Sequence, residues 1–348
     1  MQKERLIFIY PNLFTFIQTE IKLLSDDYEI ISINLNWNNK FLLPLNLLHQ
    51  LIFLLFNIRK VNTILVSFGG YWSYFPALVG KLFNKKVVIV VHGTDCVSFP
   101  EINYGNLRKP LMRWFTKRSY QLSDVILPVS ESLVYTENNY YSDKTFQFGY
   151  SHHLKNIKTP NKVIPNGLII EDWKAGSHNK IEKTFITVMT SDQFERKGAH
   201  LIVETANKLL NCTFYFAGAD NIKGIEILPE NIIFLGRLTP EQLKNHYSKT
   251  QFYLQLSNFE GFGVAICEAM LCNCIPIVSD VNHLPTIIGD SGFVLMKRNS
   301  NMLVDLINVA LKSNLSDLEE KSRKRIIENF SVQNRKKLLI KELFSEKK

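Results

Sequence analysis

Short apolar runs alternate with helix-like segments along most of the chain, and this pattern limits the fold more than any other feature. The runs are rich in β-branched residues and apolar on both faces, which is typical of parallel strands covered by helices. In the first half the predicted strands are 5–10, 28–33, 62–68, 86–91 and 124–129. The predicted helices between them lie near 14–24, 44–58, 72–83 and 107–120.

A second series of the same kind follows a polar join. Its predicted strands are 184–189, 212–218, 231–236, 251–256 and 275–279, and its predicted helices lie near 198–210, 240–248, 263–273 and 300–312. The pattern predicts an α/β protein of two doubly wound, Rossmann-like domains that are hinged near residues 155–180. We expect the domains to cover 1–160 and 161–330. A helical tail over 331–348 either crosses back to the first domain or stays solvated.

Ligands of open α/β sheets bind beyond the carboxyl ends of the strands, so two facing sheets predict a site in a cleft between domains. A dinucleotide oxidoreductase is disfavoured, since no G-x-G-x-x-G follows the first strand.

The length of 348 residues agrees with two domains, and the formal net charge of +9 favours polyanionic partners or reflects general solubility. Nucleic-acid binding is disfavoured because the basic residues are dispersed and no known module is present.

Several features indicate a cytoplasmic protein. The five cysteines follow no framework spacing, which predicts reduced thiols, and no acid or histidine completes a metal site beside them. The start of the chain lacks the order of a signal peptide. The most apolar run, 41–58, is interrupted by a proline and by amide side chains. It is too broken to span a bilayer, and we expect it to form a buried helix.

The segment 257–280, SNFEGFGVAICEAMLCNCIPIVSD, is mostly apolar yet carries two carboxylates, Glu260 and Glu268, with seven residues between them. It is typical of a strand end, a glycine-containing loop and a helix that begins near Val264. Free amides in the first turn of a helix offer a site for anions or hydroxyl oxygens, and carboxylates accept hydrogen bonds from vicinal hydroxyls. An isolated pair of this kind is more often a capping acid and an exposed helix glutamate. The Gly-Phe-Gly step and the strand that follows favour a sugar-nucleotide site.

The stretch 260–280 resembles the E-x7-E signature of retaining GT-B glycosyltransferases of family four, the glycosyl transferases group 1. Three further segments resemble successive parts of the nucleotide-binding domain of that family: VIPNG at 163–167, ERKGAHLIVE at 195–204 and VNHLPTIIGDSGFV at 281–294. In the first half, DVILPVSESL at 124–133 resembles another recurring segment. The resemblance is strong over about 160–295 and loose before it.

The resemblance implies a role for each matching residue. Glu268 would bind the ribose hydroxyls of the donor, and Glu260 would contact the donor sugar near the reacting carbon. Lys197 would stabilise the departing diphosphate, which a preorganised cation can do without a metal. Main-chain amides of the loop between the acids would hold sugar hydroxyls: those of Gly261, Phe262 and Gly263.

Two departures from the family stand out. Where the family usually places an arginine ahead of the lysine, this chain has Ser191 and Asp192. Either Arg196 or a residue of the first domain would then supply the second diphosphate contact. Residues 11–16, PNLFTF, replace a Gly-Gly loop that contacts phosphate in many relatives.

In the first domain, His92 follows a predicted strand, and many relatives carry a histidine there that faces acceptor and sugar. A structural histidine is the alternative. Asp95 is a weaker candidate for the acceptor site. The segment 107–120 places basic residues beside Trp114 at helical spacing. It predicts either a helix that lies on anionic lipid or a packed helix with a solvated basic face.

The resemblance therefore implies a retaining, metal-independent glycosyltransferase that needs no cofactor. It would move a sugar from a nucleoside diphosphate sugar to a glycan or lipid-linked saccharide in surface polysaccharide biosynthesis, in the cytoplasm or on the inner face of the plasma membrane. A sugar-nucleotide epimerase on the same plan is one alternative. A non-catalytic sugar-nucleotide-binding protein is another, favoured by the missing arginine.

Overall fold

The computed structural model describes residues 3–176, 179–222 and 228–345, apart from the side chain of Lys40. The chain divides into two compact units. Unit 1 takes the described residues within 1–136, 147–165 and 335–348, and unit 2 takes those within 137–146 and 166–334.

Unit 1 contains a five-stranded parallel sheet. The strand order is β2-β1-β3-β4-β5, which is the order of a doubly wound fold. Every residue of the two central strands, β3 and β4, is buried, as expected when helices cover both faces of a sheet. The strands are β1 (Glu4–Ile9), β2 (Tyr28–Ser32), β3 (Thr63–Ser67), β4 (Lys86–Val91) and β5 (Val125–Pro128).

The first four helices of unit 1 agree with the predicted positions to within a few residues, and the short fifth helix was not predicted. The main difference is at 107–120, where Pro110 begins the helix and a 3-10 turn, Asn106–Arg108, precedes it. Proline favours the first helical position because its missing N–H is not needed there. The helices are α1 (Thr15–Leu24), α2 (Leu43–Asn57), α3 (Tyr71–Leu82), α4 (Pro110–Leu122) and α5 (Tyr150–His153). Two short strands follow β5, namely β6 (Thr136–Asn138) and β7 (Phe146–Phe148), and their residues within 137–146 belong to unit 2.

Unit 2 contains a six-stranded parallel sheet in the order β10-β9-β8-β11-β12-β13. Phe185 lies at its centre, with its ring stacked 5.0 Å from those of Phe214 and Phe252 on the neighbouring strands. The last strand is only three residues long and was not predicted. The strands are β8 (Ile181–Val188), β9 (Thr213–Ala217), β10 (Ile232–Gly236), β11 (Thr250–Gln255), β12 (Ile275–Ser279) and β13 (Phe293–Leu295).

The remaining helices follow in chain order, and from Arg335 onward the last one belongs to unit 1. There the Arg335 guanidinium forms a buried ion pair with Glu20 of α1 at 3.1 Å and donates to the carbonyls of Ile164 and Pro165. The helices are α6 (Phe194–Lys197), α7 (Ala199–Ala206), α8 (Pro240–Lys249), α9 (Val264–Leu271), α10 (Leu284–Ile288), α11 (Ser300–Leu311), α12 (Leu315–Asn329) and α13 (Val332–Phe344).

The expectation of a buried helix over 41–58 is wrong in one respect. Helix α2 packs on unit 1 through Asn46, Gln50 and Leu54, while several of its leucines are exposed. Within the described part of the chain, no helix combines the length and the apolar character needed to cross a membrane. All five cysteines are free and buried.

Candidate active site

The candidate donor site of unit 2 is built where strand β11 ends beside helix α6. Gly198 ends α6 in the left-handed conformation, with a φ of +73°, and a Cβ there would lie 2.4 Å from the carbonyl oxygen of Leu256. Only glycine allows this approach without a shift of the backbone. Asn258 joins the same two segments, since its main-chain N–H donates to the Arg196 carbonyl at 2.7 Å and its side-chain amide to the Glu195 carbonyl. The turn that carries Lys197 is thus fixed against the loop that carries Glu260.

The Glu260 carboxylate accepts hydrogen bonds from three side chains. Its Oε2 accepts from Gln255 Nε2 at 2.9 Å, from Arg196 Nη1 at 3.2 Å and from Ser257 Oγ at 3.3 Å. Burial by itself raises the pKa of Glu260, but the charges of Arg196 and Lys197 outweigh it and bring the pKa below its usual value. Glu260 is therefore ionised at neutral pH.

Lys197 is a buried amine whose Nζ donates to the carbonyl of Val188, the last residue of β8, at 2.8 Å. Burial lowers the pKa of Lys197 to about 8, against the raising effect of the nearby Glu260 and Glu268 carboxylates. The Lys197 ammonium has three N–H donors, so those that do not bond the Val188 carbonyl can donate to a ligand. The amine is thus a preorganised cation whose charge is costly until an anion binds.

Glu268 lies in α9 and completes the cluster. Burial raises the pKa of its carboxyl to about 8, and Lys197 opposes this shift. Its carboxyl oxygens accept no hydrogen bond from any residue that the structure describes. A ligand with hydroxyl groups would supply hydrogen-bond partners for this carboxyl group. The structure thus brings three sequence-predicted residues, Lys197, Glu260 and Glu268, into one electrostatically coupled cluster.

The loop between Glu260 and Glu268 is fixed by contacts with other residues of unit 2. The main-chain N–H of Glu260 donates to Asn282 Oδ1 at 3.1 Å, and Gly263, the residue just before α9, has a φ of +104°. The Phe262 side chain is buried, with its ring 5.5 Å from that of Phe330. That side chain therefore positions the loop. Sugar contacts by the main-chain amides of Gly261, Phe262 and Gly263 remain predictions.

The Arg196 guanidinium contacts a carboxylate, whereas the sequence predicts that it contacts the diphosphate. Its Nη1 is used by Glu260 and by the Phe259 carbonyl, both at 3.2 Å. In this structure the guanidinium thus holds the carboxylate, and a diphosphate contact by Arg196 stays a prediction. Ser191 and Asp192, which stand in the place of the usual arginine, lie in an exposed 3-10 turn where Asp192 accepts a hydrogen bond from Thr190.

In unit 1, His92 lies at the carboxyl end of β4 inside an aromatic cluster. Its ring centroid is 4.4 Å from that of Phe68 and 4.9 Å from that of Phe16. Its Nε2 is 2.8 Å from Ser67 Oγ, and its Nδ1 has no hydrogen-bond partner within the described residues. Burial, with the charge of Arg335, holds the pKa of His92 well below its usual range, so the ring is neutral.

Asp95 is fully buried and joins the ends of two strands. One carboxylate oxygen accepts from the main-chain N–H of Gly69 at 2.8 Å and from Tyr120 Oη at 3.0 Å. The other accepts from the main-chain N–H groups of His92 and Gly93. These contacts give Asp95 a structural role in positioning His92, and direct contact with an acceptor stays a prediction.

Sequence reasoning missed several supporting residues. Gln255, Ser257 and Asn282 contact Glu260 directly, and all three lie next to the ends of buried strands. A polar side chain at the carboxyl end of a parallel strand was the available signal. No group of three or more histidine, cysteine, aspartate or glutamate side chains in the described residues is arranged to hold a metal ion.

Comparisons with known proteins agree with this geometry. Residues 171–331 match the family model of the glycosyl transferases group 1. O-antigen chain mannosyltransferase B of Escherichia coli is 34% identical over 86 residues, 25% of this chain and 22% of that protein. The processive diacylglycerol alpha-glucosyltransferase of Acholeplasma laidlawii is 22% identical over 73% of this chain and 77% of that protein. The chain spans less than half the length of the first curated relatives it matches.

The similarity to solved structures extends over nearly the whole chain. Sucrose-phosphate synthase from Thermosynechococcus elongatus has a TM-score of 0.76 at 13% identity, covering 98% of this chain and 99% of that one. Anabaena HepE, in complex with UDP and glucose, has a TM-score of 0.69 at 12% identity, covering 99% and 100%. These likenesses show the GT-B fold. Over residues 171–331, just under half of the chain, the sequence is similar to the glycosyl transferases group 1 family.

Proposed function

We propose that this protein is a retaining, metal-independent glycosyltransferase that needs no cofactor. It transfers a hexose or a related sugar from a nucleoside diphosphate sugar to a hydroxyl of a glycan or lipid-linked saccharide. The pathway is surface polysaccharide biosynthesis, and the location is the cytoplasm or the inner face of the plasma membrane.

The observation that carries the proposal is the buried amine of Lys197 close to the carboxylate of Glu260 and the carboxyl group of Glu268. In the reaction, the bond between C1 of the sugar and the β-phosphate oxygen breaks, and the acceptor oxygen bonds to C1 on the same face. The acceptor proton passes to the leaving phosphate oxygen. Negative charge grows on the diphosphate as it leaves, and a fixed cation stabilises that charge without reorganising solvent.

The two acids have different tasks in this mechanism. Glu260, held ionised by Arg196, accepts hydrogen bonds from the sugar hydroxyls near the reacting carbon. Glu268, which has the higher pKa, binds the ribose hydroxyls of the donor. Both acids form hydrogen bonds with the donor, so replacing either of them weakens donor binding as well as turnover.

The acceptor side of the proposal rests on unit 1. The neutral His92 ring and its aromatic neighbours Phe16 and Phe68 cluster at the carboxyl end of β4, and we expect a saccharide ring to pack against this cluster. A relative named as a diacylglycerol glucosyltransferase supports a lipid-linked acceptor. The basic, Trp114-containing face of residues 107–120 supports peripheral contact with a membrane.

The test is donor turnover by the Glu260→Ala and Lys197→Ala variants, measured as release of nucleoside diphosphate from a panel of uridine, guanosine and adenosine diphosphate sugars. Both variants are expected to lose at least 100-fold in kcat/KM, about the effect of removing one preorganised group at a developing charge. Lys208→Ala is the matched control, because Lys208 is a surface lysine of unit 2 that bonds Ser300 and Asn301. Turnover equal to the parent chain in both variants would show the assigned roles to be wrong.

The same assay separates the two alternatives. An epimerase would convert the donor to an isomeric sugar nucleotide without any acceptor. A non-catalytic binding protein would be stabilised by a sugar nucleotide in a thermal shift assay but release no diphosphate.

A further inference from the structure

Helix α2 packs on unit 1 with its polar side inward. Asn46 and Gln50 are buried on the inner side together with Leu54. The Gln50 side-chain amide donates to the Trp72 carbonyl at 2.9 Å, and that of Asn46 donates to the Asn36 carbonyl at 2.8 Å. These hydrogen bonds offset part of the cost of burying the two amides, and Gln50 Oε1 has no hydrogen-bond partner within the described residues. The helix is therefore anchored by polar contacts that leave its apolar residues free to face outward.

The opposite side of the helix carries apolar side chains at 3- and 4-residue spacing, which is one helical face, together with the exposed side chain of His49. Phe41, in the turn before α2, is 95% exposed, and Phe56, near its end, is 75% exposed. No charged residue occurs between them. We call this the outer face of α2, and it comprises Phe41, Leu45, Leu48, Ile52, Leu55 and Phe56.

An apolar face of this kind is unfavourable in water. Scattered exposed leucines are common on proteins, but a contiguous apolar surface marks a site of interaction with a protein or a membrane. The usual amphipathic arrangement is reversed here, because the amides point into the protein and the leucines point out. The outer face is thus suited to an apolar environment that the chain itself does not supply in the described residues.

The helices beside α2 are uncharged or basic. Helix α3 packs between α2 and α4, and none of the three contains an acidic residue. Leu82, at the end of α3, is 71% exposed. On α4, Trp114 is half-exposed and the Arg118 guanidinium lies 5.9 Å from its ring. Basic residues beside exposed apolar and tryptophan side chains complement an anionic lipid surface, with the charges at the headgroups and the apolar groups below them.

We propose that the outer face of α2 inserts into the surface of a bilayer that contains anionic lipid, with the basic side chains of α4 at the headgroups. The inserting element is thus α2, while α4 supplies the charge. This proposal does not depend on the proposed catalytic function, because binding to lipid is measured without donor or acceptor.

The experiment is sedimentation of the full chain with vesicles of phosphatidylglycerol and phosphatidylcholine, and with vesicles of phosphatidylcholine alone. We expect binding to the anionic vesicles. Leu48→Glu/Leu55→Glu should weaken it at least tenfold, since two apolar contacts are lost and two repelled charges are added. Leu210→Glu is the matched control, because Leu210 is 74% exposed in unit 2 and should leave binding unchanged.

Two further measurements keep the test decisive. Leu48→Ser/Leu55→Ser replaces the glutamate variant if circular dichroism shows that the latter does not fold, and the same loss of binding is expected. Lys117→Glu/Arg118→Glu should remove the preference for anionic vesicles. The proposal is overturned if the outer-face variants bind vesicles as the parent does. It is also overturned if sedimentation velocity shows a parent dimer that these variants dissociate, because the face would then be covered by a second copy.

Discussion

Replacing Glu268 by glutamine is expected to change how the stability of unit 2 depends on pH. Burial raises the pKa of the Glu268 carboxyl to about 8 in the folded chain, against an ordinary value of 4.5. Between these two pH values the folded state therefore binds more protons than the unfolded state. The free energy of unfolding then falls as pH rises through this window and levels off above it.

The size of the effect follows from the shift. One bound proton changes the free energy of unfolding by at most about 1.4 kcal/mol per pH unit. Over a window of about 3.5 units, the Glu268 carboxyl accounts for a loss on the order of 5 kcal/mol. Glu268→Gln keeps the size and polarity of the side chain but does not titrate, so the variant should lack this decline.

The assay is urea unfolding at several pH values between 5 and 8, followed by pulse labelling of thiols. The chain offers a reporter for each unit, because Cys96 is the one cysteine of unit 1 and the other four are buried in unit 2. The parent chain should lose unit 2 stability relative to Glu268→Gln as pH rises, while Cys96 labelling stays parallel in both. Equal pH dependence of unit 2 in the two proteins would refute the reasoning.

Three other perturbations have defined outcomes. Gly198→Ala should lower the free energy of unfolding by about 2 kcal/mol or more, through its left-handed backbone and the close carbonyl; an unchanged urea midpoint would contradict this. The kcat/KM should fall above about pH 8, because the pKa of Lys197 lies near 8 and only the charged amine stabilises the leaving group; a rate that is flat to pH 9.5 would be inconsistent. Arg335→Met should destabilise unit 1 by about 3–5 kcal/mol by leaving Glu20 buried without its partner, and unchanged Cys96 labelling would oppose that account.

The two sheets could be predicted from sequence because their strands are apolar on both faces. Residues 86–91, for example, form a strand with every residue buried. The three-residue strand β13 was missed because so short a run has no periodicity. The orientation of α2 could not be predicted, because composition does not tell which side of an apolar helix packs inward. The deciding contact, from Gln50 to the Trp72 carbonyl, joins residues that are 22 positions apart.

The candidate site was predicted in part. Lys197, Glu260 and Glu268 lie within local motifs, and the resemblance of those motifs to the glycosyl transferases group 1 selected them; their roles in donor binding stay predictions. The ion pair between Arg196 and Glu260 was not predicted, because it spans 64 positions and depends on the pairing of β8 with β11. The structural role of Asp95 was not predicted either. Its four hydrogen-bond donors belong to residues both before and after it in the sequence, so no local pattern reveals them.

The most direct test of the central claim is calorimetric binding of uridine, guanosine and adenosine diphosphate sugars to the parent chain, Lys197→Met and Glu268→Ala. The account predicts that one of these donors binds the parent chain and that each variant binds it at least tenfold more weakly, the loss expected for a hydrogen bond to a charged group. Equal affinity in all three proteins, or no binding of any donor by the parent chain, would contradict the claim that these side chains form one donor site.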